Sequence, residues 1–449
     1  MSPKRSFCSS DDLEAHLLEC LSPWCDASRL VVALSGGLDS TLLLHLLAKL
    51  HASGRISPVH AHHVHHGLQK AADEWVLHCQ HQCDSLGVPL QVSRVRVPAG
   101  SSVEAMAREA RYRALGDSLA TGDVLVFGHH RDDQIETFMF RLFRGAGVRG
   151  LAGMPGSRAL GQGCLVRPLL DVTRDQLRHV AEQMNLSWVD DPSNRDIALA
   201  RNYLRSEVLP AIKGQWPRAG DSIARAARHL GEAQALLEEL ADDDLIEASK
   251  PSTWPWLQIP SLDFQALVRL SPARQRNVLR RWLQPFGEQP ETEHWHGWRA
   301  LRDAQTGASP IWQLRQGLLQ RSAGRVWWLA DRWSRFNAPT SAQAWDDLSS
   351  PLVLTGNGTL THSGNTVTGA VTVGYRAGGE RIDIPGRGHR DLKRLLNESI
   401  VPTFVRGRLP LVYQNGVLIA VANLPGLSSL EAQGARFDWS PPTNDMGLS

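Results

Sequence analysis

The chain has 449 residues, enough for two or three domains that each bury a core of their own. Its 48 Lys and Arg stand against 46 Asp and Glu, a formal net charge of +2, so no global basic field marks it for nucleic acid, and RNA contact would rest on local patches. No uncharged apolar run of about 18 residues occurs and the start, MSPKRSFCSSDDLEAHL, lacks a hydrophobic leader, which leads us to expect a soluble, cytoplasmic protein without membrane partners.

In chain order, Asp11 and Asp12 are expected to cap a first helix ending near Pro23. Residues 30–50 then read LVVALSGGLDSTLLLHLLAKL. Aliphatic residues 30–34 predict a strand buried on both faces, and 38–50 carry helical spacing. Between them Ser35, Gly36, Gly37, Leu38, Asp39 and Ser40 form a glycine turn feeding a helix N-terminus, the geometry of an anion cradle. Asp39 is an acceptor that pure anion binding does not need, so it suggests a metal ion or a cationic group beside the phosphates. No GxxxxGK[ST] occurs, which excludes the Walker loop.

A second strand is expected at 56–64, ending in His60, His62, His63, His65 and His66. Alternation splits these between two faces, poor geometry for one zinc ion and better for a polar lip on the sheet's C-terminal edge. A helix at 70–86 and a strand at 88–97 follow. Cys79 and Cys83 fall one helical turn apart without two further ligands nearby, so they and the other four cysteines (Cys8, Cys20, Cys25, Cys164) read as reduced thiols. The next helix opens with Ser101 or Ser102 as cap and Glu104 completing a capping box; Val103, Ala107, Ala110, Ala114 and Leu115 line its buried side. Arg108, Arg111 and Arg113 project elsewhere, and Arg108 and Arg111 read either as solvated side chains or as clamps for phosphate or substrate.

A fourth strand at 123–127 runs into GHHRDDQIET at 128–137. Asp133 and Glu136, three apart, share a helix face while Asp132 reads as the cap; paired carboxylates there can hold Mg²⁺ or recognise an amine. Phe138, Leu142 and Phe143 are expected inside. Five glycines mark 144–156 as a mobile or closely approached loop, and a fifth strand is expected at 166–169 before a helix capped at Thr173. Residues 188–210 concentrate Asp191, Ser193, Asn194, Arg201, Asn202 and Arg205, too many turn formers and arginines for a routine connection. The alternation predicts an α/β fold, a doubly wound parallel sheet over about 27–190.

An amphipathic helix at 221–248 reads as a connector. Eleven of the 15 tryptophans then lie between Trp216 and Trp345, mixed with arginines, a pattern that fits RNA stacking or a Trp-rich core, the core being favoured. After a Pro/Ser/Ala-rich linker at 336–350, strands at 352–354, 366–373, 411–413 and 417–422 bracket a helix at 391–399. Arg387, Arg390, Lys393, Arg394, Arg406 and Arg408 around that helix form a compact basic surface of the kind that touches RNA. The domains expected are 1–215, a nucleotide-binding catalytic unit; 216–335, mostly helical; and 350–449, small and α+β.

The SGGLDS loop resembles that of the N-type ATP pyrophosphatase (PP-loop) family, whose fold is adenine nucleotide alpha hydrolase-like. With HVHHGL at 63–68, AREARY at 107–112, GHHRDDQIET, RGAGVRGLAGMP at 144–155 and RPLL, DDPSN and RNYLR between 167 and 205, the chain resembles the bacterial tRNA(Ile)-lysidine synthetases. GRGHRDLKRLLNESIVPTFVRGRLPLVYQNG resembles that family's last domain. One departure is His65, where the family usually has asparagine. The resemblance implies ATP-dependent attachment of free L-lysine to C2 of the wobble cytidine in the isoleucine tRNA with a CAU anticodon, through an adenylated intermediate. It further implies that residues 35–40 with His63 hold the nucleotide. Asp39 would serve Mg²⁺ or the amine, and Asp133 and Glu136 the acidic pocket around the lysine side chain or Mg²⁺, the sequence not saying which. Arg108, Arg111 and Arg201 would offset phosphate charge, and Arg205 and the C-terminal basic residues would meet the tRNA. The oligomeric state stays open, a homodimer among the options. Rival readings are a tRNA thiolase acting on the same oxygen, a small-molecule amide synthetase, and a non-catalytic RNA-binding scaffold. A thiolase needs a sulfur-carrying cysteine pair, and an amide synthetase of that type needs a glutaminase part.

Overall fold

The structure, a computed structural model, describes residues 7–65, 67, 72–96, 103–290, 292–305, 307–429, 432 and 434–442. The expected cap at Ser101 or Ser102 and His66 lie outside the described residues, as does the Glu104 side chain. The chain forms two compact units, Met1–Ala235 and Leu236–Ser449.

The first unit is built on six strands: β1 (Arg29–Ala33), β2 (Val59–His65), β3 (Leu90–Arg94), β4 (Asp123–Val126), β5 (Ser157–Leu160) and β6 (Gly163–Val166). Their order is β3-β2-β1-β4-β6-β5, all parallel except the edge strand β5, which returns antiparallel to β6. Alternate side chains of one strand enter different cores. Leu30 and Val32 pack with the leucines of a helix at Leu38–Ala52, while Val31 packs with Leu115 and Leu119 on the opposite side. Both faces of the sheet are therefore covered, which is why β1 reads as an unbroken apolar run. The chain leaves β1 toward β2 on one side and leaves β4 toward β6 on the other. The crevice of such a sheet opens at the switch point, above the C-terminal ends of β1 and β4.

Several local expectations shift. The first helix is Ser10–Leu21, capped by Ser9, whose side chain accepts from the Asp12 N–H while the Asp12 carboxylate accepts from the Ser9 and Cys8 N–H groups. The fifth parallel strand ends at Val166, where the sequence placed its start, because the preceding residues pair in the hairpin β5–β6. Helix Arg131–Leu142 buries Ile135, Phe138 and Met139 against Leu204 and Leu209, but Leu142 and Phe143 are exposed, since the helix ends as they turn away.

In the second unit the stretch expected to be mostly helical also holds a four-stranded antiparallel sheet, with Ser261–Asp263, Arg325–Ala330, Gly317–Ser322 and Ile311–Gln313 adjacent in that order. Most of the tryptophans are core: Trp295, Trp298, Trp312, Trp327, Trp328, Trp333 and Trp345 are buried, while Trp216 is exposed. Residues 336–350 are not a free linker, because Gln343–Ala344 pairs with Val371–Gly374 and Trp345 packs in the same core as Trp439. The helix Leu392–Glu398 is capped by Asp391, and the strand Ala435–Ser440 joins Thr359–Gly364.

Candidate active site

The loop after β1 is knitted by its own serines. The Ser40 hydroxyl accepts from the Ser35 backbone N–H at 3.1 Å and lies 2.9 Å from the Ser35 hydroxyl, which in turn accepts from the Gly37 N–H at 3.3 Å. Gly36 has φ of 85°, a left-handed conformation that a side chain would strain, and a Cβ there would meet the Cys79 sulfur at 3.2 Å. Gly37 caps the helix Leu38–Ala52 without any side-chain partner, so the first-turn N–H groups face the cleft. The strap at residues 188–191 closes over the loop, its Val189 N–H donating to the Gly36 carbonyl.

A cleft of about 370 Å³ opens here, lined by Ser35, Gly37, Leu38, Asp39, Ser40 and His63 on one side and by Gly128, His129, His130 and Asp133 on the other. The two sides touch directly: a Cβ on Gly128 would lie 3.0 Å from the Asp39 backbone. His130 is buried between two carboxylates, its Nε2 3.6 Å from Asp39 and 3.6 Å from Asp133. Sequence reasoning does not single out His130, whose only signal is its place inside GHHRDDQIET. Burial pushes the Asp39 carboxyl above the usual aspartate range, only partly offset by His130. For Asp133 burial is outweighed by the facing His130 ring, the His130 N–H and Arg205, which hold it below that range. Two neighbouring carboxylates are thus driven apart in acidity, a pattern of sites that move protons.

Asp132 is not the helix cap: His130 occupies that position, with the Asp133 carboxylate accepting its N–H at 3.0 Å, while Asp132 accepts from the Arg174 N–H. Glu136 shares a face with Asp133 but does not line the cleft. Arg205 holds it through two bonds, Nε at 2.6 Å and Nη2 at 2.9 Å, and also reaches to 3.6 Å from Asp133. Arg205, read from sequence as a tRNA contact, lines the cleft and joins the two carboxylates.

Of the other arginines, Arg111 lines the cleft with its Nε buried and without an acceptor among the described residues. Burial, with Arg108 and Arg201 adding to it, disfavours its charge, which a bound anion would restore. Arg174, unremarked in the sequence, also lines the cleft with a buried, unpaired Nε. Arg108 and Arg201 do not line it: Arg108 lies 5.0 Å over the Tyr112 ring and Arg201 6.0 Å over Phe140. The histidine lip separates as the alternation predicts. His63 Nδ1 donates to the Leu34 carbonyl at 2.9 Å, whereas His62 lies between the hydroxyls of Ser93 and Ser118 and is pushed down to about 4 by burial. His65 sits 3.3 Å from Asp73. His129 is held neutral, pushed down to about 3 by burial and by Arg167, Arg111 and Arg108 against the pull of Asp133.

No three His, Cys, Asp or Glu side chains gather as a metal cage among the described residues. Mg²⁺ needs none, since it takes one or two carboxylates and completes its shell with water and phosphate. Asp39 fits that role, with one buried carboxylate oxygen that has no hydrogen-bond partner among the described residues.

Comparison with known proteins gives the same outline. Residues 10–212 match the PP-loop domain, 262–327 the TilS substrate binding domain and 371–439 the TilS substrate C-terminal domain. A tRNA(Ile)-lysidine synthase of Pseudomonas fluorescens is 56% identical over 439 residues, covering 98% of this chain and 99% of its own. This chain belongs to the tRNA(Ile)-lysidine synthase family. The Pseudomonas aeruginosa tRNA(Ile)-lysidine synthase is 53% identical over 97% of this chain and 99% of its own, and that of Coxiella burnetii 38% identical over 94% and 95%. The PP-loop domain implies that ATP is the nucleotide of the cleft.

In this lysidine synthase family member the basic residues matched to the C-terminal substrate domain divide sharply. Arg387, Arg390, Lys393 and Arg394 are exposed, with Arg387 and Arg394 both paired to Glu398. Arg406 is half-buried and bonded to the Val401 carbonyl and Asn397. Arg408 is not part of a surface at all. It is buried under Trp333 and Phe336, bonded to Asn357 and to the carbonyls of Gly356, Arg332 and Trp333, and burial pushes it down to about 10. No described helix is long and apolar enough to cross a membrane.

Proposed function

We propose that the protein is a cytoplasmic ligase that uses ATP to join free L-lysine to C2 of the wobble cytidine in the isoleucine tRNA with a CAU anticodon. The product, lysidine, switches charging from methionine to isoleucine and decoding from AUG to AUA. The observation that carries this reading is the convergence of the Ser35–Ser40 loop, Asp39 and Asp133 on one cleft, in a chain matched to lysidine synthases along nearly its whole length.

The chemistry follows from what C2 of cytosine bears. Its carbonyl oxygen is a poor leaving group; attack of that oxygen on the α-phosphate of ATP expels pyrophosphate and makes it part of a good one. The lysine ε-amine then attacks C2, and AMP departs carrying the oxygen. The loop N–H groups and the helix N-terminus would hold the phosphates, with Arg111 and Arg174 offsetting their charge. Mg²⁺ on Asp39 and Asp133 would supply further neutralisation of the polyphosphate. The amine must lose a proton to attack, and Asp133, ionised and open to the cleft, would attract the ammonium form and serve as acceptor for that proton. Glu136 serves indirectly, by fixing Arg205.

A thiolase acting on the same oxygen is disfavoured by the cysteines. Cys79 and Cys83 are buried, and burial pushes them up to about 12 and about 11, the opposite of what a sulfur carrier requires. The test is ATP-dependent incorporation of labelled lysine into unmodified isoleucine tRNA beside a methionine tRNA control. Label on the isoleucine tRNA alone is expected; no label, or equal label on both, overturns the reading.

A further inference from the structure

One wall of the cleft ends in a stack that the reaction above does not use. Tyr112, Phe127 and His129 lie ring on ring, with centroids 5.5 and 5.0 Å apart and planes within 13° and 2° of parallel. Arg167 is buried against this stack. It donates from Nε to His129 Nδ1 at 3.1 Å, from Nη1 to the Pro155 carbonyl at 2.8 Å, and from Nη2 to the Tyr112 hydroxyl at 3.4 Å. No carboxylate pairs with it among the described residues. A buried arginine satisfied only by neutral acceptors is costly to keep, and the reason to look for lies in its partners: unlike Arg408, it spends one donor on a residue that lines the cleft.

The direction of one bond supplies it. An arginine Nε–H can only donate, so His129 Nδ1 must accept and carries no proton. A neutral imidazole with a bare Nδ1 has its proton on Nε2. His129 also lines the cleft, one residue from Gly128, which touches the backbone of the phosphate loop. Around it the cleft carries both signs of charge, Asp133 against Arg111, and the buried Arg111 Nε has no acceptor among the described residues.

We infer that Arg167 is a positioning residue that locks His129 as its Nε2–H tautomer, making His129 a neutral donor to a phosphoryl oxygen of the bound nucleoside triphosphate. This rests on the nucleotide part of the proposed function and not on lysine transfer. A protonated imidazole could donate too, but it would compete with Arg111 for the same charge and repel it. The locked neutral ring adds a directed hydrogen bond without adding charge.

The test uses the full-length protein and ATP alone, read by equilibrium dialysis, so it stands or falls separately from the ligase reading. Arg167→Met and His129→Asn should each weaken ATP binding about tenfold, the size of one hydrogen bond to a charged group. His129→Gln, whose amide nitrogen lies near the place of Nε2, should recover part of the affinity lost in His129→Asn. In the His129→Gln background Arg167→Met should cost no more than about twofold, because an amide has no tautomer to lock. An equal loss in both backgrounds overturns the proposal, since a merely structural arginine would act alike in each. Thermal melts identify a variant that fails to fold. In that event the ¹⁵N spectrum of the wild-type His129 ring decides: a bare Nδ1 beside a protonated Nε2 supports the tautomer lock, and a protonated Nδ1 overturns it.

Discussion

Arginine has opposite fates in the two units of this chain. In the first, Arg111 and Arg174 reach the cleft with donor groups that no described protein atom accepts from, and Arg205 spends its charge on two carboxylates of the site. In the second, Arg274 and Arg281 are tied to Asp244 and Asp242, and Arg408 is sunk beneath two aromatic rings with its donors spent on Asn357 and main-chain carbonyls. The charge is the same in both settings. An arginine whose buried Nε lacks a protein acceptor, as in Arg111 and Arg174, is poised for a bound anion, whereas one whose donors are spent far from the cleft, as in Arg408, holds the fold.

That contrast can be broken at four points. The largest effect belongs to the cleft: Asp133→Ala should cut lysine incorporation by more than about a hundredfold, the range of a lost proton acceptor. Its thermal stability should fall by only about 1 kcal/mol, for the lost N–H bond at the helix start. Wild-type turnover by a folded Asp133→Ala protein would remove the residue from the site. Second, Arg408→Ala should cost about 3 kcal/mol in denaturant unfolding, by leaving buried acceptors unpaired. If it instead lowered tRNA affinity with stability intact, Arg408 would belong with the binding arginines.

Third, Asp123 at the start of β4 is bonded to Arg29 at 2.8 and 3.0 Å. Burial alone would raise its carboxyl, but Arg29 and the Ala120 N–H outweigh burial and hold it low. A depressed carboxylate stabilises above its unfolded value and loses that contribution as pH falls through the folded one. Asp123→Asn should therefore cost about 2 kcal/mol at pH 7, with the gap to wild type closing below about pH 3.9. A pH-independent difference in urea midpoints would show the pair to be structural packing only. The smallest effect is at the exposed C-terminal helix: Arg390→Ala and Lys393→Ala should each weaken tRNA binding about fivefold and lower the salt slope by about 1. Stability should not change, and filter binding across a salt series checks this.

The parts legible in the sequence were those encoded locally. Apolar residues 30–34, two glycines and a leucine-rich helix specify a buried strand, a phosphate turn and the helix beyond it from a short stretch. The shared face of Asp133 and Glu136 was equally readable, because it needs only the helical period. Which carboxylate faces the cleft was not, because Arg205, which claims Glu136, comes 69 residues later. His130 looked like its neighbour His129, and only the packing of β1 beside β4 sets one between two acids and turns the other toward Arg167. In the second unit, Gly317–Ser322 and Arg325–Ala330 are short and almost wholly buried, so they carry no alternation by which to separate strand from helix.

The ladder between β1 and β4, with Leu30 beside Val124 and Val32 beside Val126, has a further consequence. Asp39 and Asp133 are separated by more than ninety residues of chain, yet the interval between the loops that carry them is set by a single inter-strand spacing, about 4.8 Å. That spacing is the least adjustable length in a protein. The intervening loops and helices can therefore lengthen, shorten or change sequence without altering the gauge across which the two acids face each other. A slip of one residue in that ladder would move β4's Phe127–Asp133 end along β1 by about 3.3 Å and part the acids, while leaving every loop intact.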